Sequence, residues 1–188
     1  MVIGLTSVLA VGATTSYFSD TEISSGNTIT AGTLDLKLDG ADNPTSAKFN
    51  VTNAKAGTQI NTGFILKNDG SITGNLSIPS IVVTNSENGI TEPEASSGDA
   101  TDTTGELADV MNLRIFMDYD KNGSIGTGET VVYNGLIKNL PTTLPSLGTL
   151  LAGSEVRVGF IMDWWNTASD NLAQGDSMQL NIQFMLQQ

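Results

Sequence analysis

The stretch DYDKNGSIGTGE, residues 118–129, spaces its oxygen-bearing side chains as a twelve-residue calcium loop does. Asp118, Asp120 and Asn122 stand at positions 1, 3 and 5, and Glu129 closes the loop at position 12. Ser124 supplies its backbone carbonyl at position 7, Gly123 sits where the chain must turn sharply, and Ile125 holds the apolar eighth position. With a water opposite Gly126, these groups reach the six to eight oxygens that Ca2+ takes at about 2.3–2.6 Å. Strands rather than helices flank the loop, so calcium is expected here as a structural clip, not as a sensor that opens. The competing reading is an acidic hairpin turn with Asn-Gly at its tip.

Other chemistry finds little footing. The chain has no His, which excludes the usual general base near neutral pH and every His-ligated zinc or iron site. It has no Cys, which removes disulfides and thiolate chemistry. A Ser nucleophile would need a Lys base, yet Lys37, Lys48, Lys55, Lys67, Lys121 and Lys138 lie on expected strands or turns without a Ser-x-x-Lys motif. A carboxylate pair for glycoside hydrolysis meets only in three dimensions, so the sequence leaves it open. DWWN, residues 163–166, reads as a strand end with two packing aromatics, the alternative being a sugar platform of Trp164 and Trp165. A net charge of −12, from 20 acidic and 8 basic residues, argues against nucleic acid and against anionic membrane surfaces. No enzyme is expected.

The elements that must position the loop are strands. Abundant Gly, Thr, Ser and Asn with only 15% charged residues point to strands joined by polar turns. GTLDLKLDG alternates Leu34, Leu36 and Leu38 with charged residues and turns at Asp39-Gly40. AKFNVTN alternates Phe49 and Val51, and TQINTGFILKNDG runs to a hairpin-type turn at Asp69-Gly70. Pro79 in GNLSIPSIVV predicts an edge or a bulge. MNLRIFMD, SEVRVGFIMDWW and DSMQLNIQFMLQQ complete about eight short strands, which imply a β-sandwich. AGTQINTGFI and AGSEVRVGFI echo one another: in each a Gly suited to positive φ precedes a strand. QGDSMQLNIQF repeats that entry. A short helical turn is expected near 105–110.

Outside this body, residues 2–13 are uncharged and small or aliphatic, too short to span a membrane but suited to a signal-peptide h-region. TTS at 14–16 offers small residues for cleavage after Ser16; a buried first strand is the alternative. Residues 1–16 are therefore a signal remnant or N-terminal donor segment, residues 17–30 an extended donor strand and linker, and residues 31–188 one sandwich domain. Residues 84–109 are polar and acidic, and read as a solvated surface insertion rather than a second calcium site built from Asp99, Asp102, Glu106 or Asp109. Asn50 and Asn75 are candidate N-glycosylation sites; the sequon at Asn122 falls in the calcium loop.

SYFSDTE, SGNTITAGTLDLKL, NAKAGTQINTGFILKNDGS and NLAQGDSMQLNIQFMLQQ, in that order, resemble the TasA/camelysin family of secreted proteins with SipW-dependent-type leaders, whose archaeal members resemble bundling-pilus subunits. The resemblance implies an all-β, jelly-roll-like β-sandwich with an extended N-terminal segment, exported to the cell surface. It implies a homopolymer assembled head to tail by adding the N-terminal segment of one subunit to the open sheet of the next, with neighbouring filaments as further partners. Tyr17, Phe18, Ile23 and Ile29 are the candidate plugs of that donor strand; if the leader is retained, Val2–Val11 is the more apolar donor. Camelysin is classed as a metalloprotease, but this chain has no H-E-x-x-H. The alternative function is a monomeric calcium-dependent adhesin or glycan-binding sandwich. Neither reading involves nucleic acid, a small-molecule substrate or a membrane span that persists after processing.

Overall fold

A computed structural model describes residues 31–42, 54–100, 103–165 and 167–188. The chain divides into Met1–Ala31 and Gly32–Gln188, and the second unit is a β-sandwich. Strands β1 (Leu36–Leu38), β2 (Gln59–Asn68), β4 (Met111–Asp118), β5 (Thr130–Leu136) and β7 (Glu155–Trp164) form one antiparallel sheet in the order β1-β2-β7-β4-β5. Strands β3 (Gly74–Ser86), β6 (Leu144–Leu150) and β8 (Ser177–Gln187) form the other, in the order β6-β3-β8. The successions 2-7-4-5 and 8-3-6 are those of a jelly roll. A full jelly roll would place its first strand beside β8, whereas β1 lies beside β2.

The period-2 pattern decides which faces meet. In β8, Met178, Leu180, Ile182, Phe184 and Leu186 turn inward while Gln179, Asn181, Gln183 and Met185 face out. Phe64 of β2 meets Phe160 of β7 at 5.8 Å between ring centres and Phe184 of β8 at 5.5 Å, both edge-on, so aromatic contacts bridge the sheets. The expected strand β4 breaks the alternation: seven of its eight residues are buried, Phe116 among them on the outer face. Phe116 lies over Gly159, whose missing side chain makes room; a Cβ there would stand 2.4 Å from the ring.

The echoed segments are ladder neighbours, with Gly63 of β2 directly opposite Gly159 of β7. Gly57, Gly153 and Gly175 all have positive φ just before their strands, as the strand-entry reading requires. Pro79 does mark a bulge, since the β3–β8 ladder shifts register between Ser77 and Ser80, but β3 is the central strand of its sheet and not an edge.

Two expectations need correction. Asp69-Gly70 is not a hairpin turn: β2 and β3 lie in different sheets, and the chain crosses between them there. Buried Asn68 closes that crossing, donating to the carbonyls of Ile72 at 2.8 Å and Leu150 at 3.3 Å and accepting from Gly70 N–H at 3.0 Å. The segment 84–109 is also not a purely solvated insertion. It carries the end of β3, α1 (Glu92–Ser97) and most of α2 (Leu107–Val110), and buries Glu94, Leu107 and Ala108. Only α2 matches the expected turn near 105–110. The expected strand around Phe49 and Val51 lies outside the described residues.

Candidate metal centre

Residues 118–129 connect the antiparallel neighbours β4 and β5, so the two strands hold the ends of the loop side by side. Asp118 ends β4 fully buried, and one of its oxygens accepts from Gly123 N–H at 3.0 Å and from the Arg157 guanidinium. Its other oxygen has no hydrogen-bond partner. Burial pushes the Asp118 carboxyl up, but hydrogen bonds from Arg157 and Gly123, with the Arg157 charge, outweigh it and hold the group below its ordinary value. Arg157 is the ladder partner of Asp118 on β7, and its guanidinium lies over Gly63, where a Cβ would stand 2.6 Å away.

Glu129 folds back across the loop, accepting from Tyr119 N–H at 3.0 Å and Gly126 N–H at 2.8 Å. Asp120 accepts from Asn122 through backbone N–H at 3.1 Å and side-chain amide at 2.6 Å. Positive φ at Lys121 and Gly123 makes the tight reversal, and Lys121 pairs with Glu155. The carboxylates of Asp118, Asp120 and Glu129 thus converge, with one oxygen from each lying within 4.8 Å of the others. The side-chain oxygen of Asn122 accepts Ser124 N–H at 2.6 Å. Ile125 is 36% exposed, so the apolar eighth position adds nothing to the core.

Every donor atom in the loop is an oxygen. Such a set suits a hard cation such as Ca2+ better than Zn2+, which favours imidazole and thiolate. Arg157 and Gly63 escape sequence reading because their role depends on strand pairing across the sheet.

The other sequence-derived sites fare unevenly. Trp164 is 4% exposed and donates its indole N–H to Asp170 at 2.9 Å, whereas Trp165 is 57% exposed, so the two do not form a joint platform. Asn75 is exposed on β3, with its side-chain oxygen 3.4 Å from the Thr149 hydroxyl. Tyr17, Phe18, Ile23, Ile29 and Asn50 lie outside the described residues, as do the leader and Asp102. No helix among the described residues is long and apolar enough to cross a membrane.

Comparison with curated proteins gives no match. The family model described as camelysin metallo-endopeptidase matches residues 1–188. The metal implied by that description finds oxygen donors here but no His for the zinc-peptidase ligand pattern. On this full-length match, the chain belongs to the camelysin family.

Proposed function

We propose that this protein is the structural subunit of an extracellular filament, each copy lending its N-terminal segment as a strand to the β8 edge of the next. The observation that carries the reading is β8 itself. Among the described residues it pairs only with β3, which leaves one side of an eleven-residue strand without a ladder partner. Natural edges are blunted by charge, Pro, bulges or shortness. SMQLNIQFMLQ has none of these: it is long, uncharged and free of Pro and Gly. It also borders the position that a first jelly-roll strand would fill.

A groove of about 950 Å3, lined in part by Ile60, Met162, Trp164, Met178 and Leu180, opens where β2 and β8 begin. It offers apolar seats to alternate side chains of an added strand. Of the candidate plugs, Tyr17, Ile23 and Ile29 fall on one face of an extended strand and are assigned to such seats, and Phe18 falls on the other. Calcium in the 118–129 loop would stiffen the β4–β5 connection within each subunit. Peptidase activity is not assigned, because the chain has no His.

Electron microscopy of the purified protein tests the reading, with filaments expected from the full chain and none after deletion of residues 1–28. A stable monomer from the full chain, or unchanged assembly of the truncated one, would refute it. Cleavage of casein by the zinc-loaded protein would restore the peptidase reading.

A further inference from the structure

The insertion between β3 and β4 hides a second group of acids, contributed by segments far apart in sequence. The β3–β8 ladder ends at Ser86 opposite Ser177, so Glu87 and Asp176 follow as facing residues just beyond it. Glu106, at the start of α2, donates its backbone N–H to one Asp176 oxygen. Carboxylate oxygens of Glu87, Glu106 and Asp176 lie within 4.8 Å of one another. Gly105 permits this approach, since a Cβ there would stand 2.8 Å from the Ser86 carbonyl and 3.0 Å from the Asp176 carboxyl carbon. Glu94 of α1 is 0% exposed, with one oxygen held by Thr91 N–H.

What sets this group apart from a solvated acidic surface is its unmet acceptors. Both Glu87 oxygens and one oxygen each of Glu94, Glu106 and Asp176 are buried and accept no hydrogen bond from an N–H or hydroxyl group, while the Glu87 and Asp176 carboxyls lie within hydrogen-bond reach of one another. No described Lys or Arg forms an ion pair with these four residues. Burying several like charges without a counter-charge costs far more than a loop can recover. Something positive is missing from the balance: either a shared proton or a cation.

We propose that Glu87, Glu106 and Asp176, with Glu94 beside them, hold a Ca2+ ion that ties the insertion to the start of β8. Oxygens up to 4.8 Å apart can sit on opposite sides of one ion with bonds of about 2.4 Å. The donors are all hard oxygens from separate segments, an adaptable set that Ca2+ tolerates better than Mg2+, which demands a near-ideal octahedron. The ion joins the ends of β3 and β8 to both helices of the insertion. This site is independent of the 118–129 loop and of the filament reading.

The test is a count of bound Ca2+ per chain by equilibrium dialysis, paired with thermal melts of the full-length protein in calcium and in EDTA. Glu87→Gln/Asp176→Asn keeps the shape and removes two charges. It should bind one Ca2+ fewer than the parent and lose roughly 5–10 °C of the calcium-dependent rise in melting temperature. In EDTA it should melt above the parent, because repulsion is relieved. Asp118→Asn/Glu129→Gln, which disables the loop, should still bind one Ca2+. An unchanged count in Glu87→Gln/Asp176→Asn would overturn the site in favour of a shared proton. If that variant fails to fold, the loop variant decides alone: one ion retained supports the site, and none refutes it.

Discussion

Arg157 of β7 stands directly across the ladder from Asp118 of β4 and donates its guanidinium to that buried carboxylate. The pair fixes the first residue of the candidate calcium loop before any ion arrives. Removing the cation side would leave Asp118 buried and uncompensated. Arg157→Met should therefore lower stability by about 3 kcal/mol in EDTA, read from urea unfolding. A loss below about 1 kcal/mol would show that the pair does not hold the loop.

The loop itself makes a conditional prediction. Asp118→Ala/Glu129→Ala should melt below the parent by a wider margin in calcium than in EDTA, because only the calcium-bound parent gains from ligand linkage. An equal difference in both conditions would reject a cation between β4 and β5.

Gly159 predicts a packing defect independent of any metal. Its Cβ would fall 2.4 Å from the Phe116 ring, and Phe116 is fully buried. Gly159→Ala should cost about 1–3 kcal/mol of stability. Pairing it with Phe116→Leu should recover part of that loss, as a double-mutant cycle can measure.

Trp164 and Asp170 supply an acid-sensitive contact. Burial pushes the Asp170 carboxyl up, but hydrogen bonds from the Trp164 indole and from the Thr167 amide and hydroxyl prevail and hold it below its ordinary value. A depressed folded value means that the contribution is complete above the unfolded pKa, about 3.9, and is lost as pH falls through the folded value. Asp170→Asn should flatten the acid limb of the stability profile followed by tryptophan fluorescence. An identical limb in parent and variant would contradict this.

The sandwich was legible where burial is one-sided. β8 shows it best, because alternate apolar residues need no knowledge of their partners. The convergence of Asp118, Asp120 and Glu129 was legible because the three residues are local in sequence. Glu94 was not: six residues of α1 in an acidic stretch carry no lasting period, and the burial of Glu94 alone among them depends on packing against the distant segment before β8. Asp69-Gly70 misled for a related reason, since a turn sequence does not say whether its strands share a sheet. Nor could spacing bring Asp176 to Glu87, which lies 89 residues earlier and is matched to it only by the β3–β8 register.

The proposed filament depends on the pairing of one subunit's N-terminal segment with another's β8. The absence of native Cys makes it directly measurable. Chains carrying Ile23→Cys should be mixed with chains carrying single Cys substitutions at successive positions from 178 to 186, then oxidised. Disulfide-linked heterodimers are expected at a few adjacent β8 positions, strongest where the strands are in register. Their absence along the whole strand, with filaments still forming, would contradict that pairing.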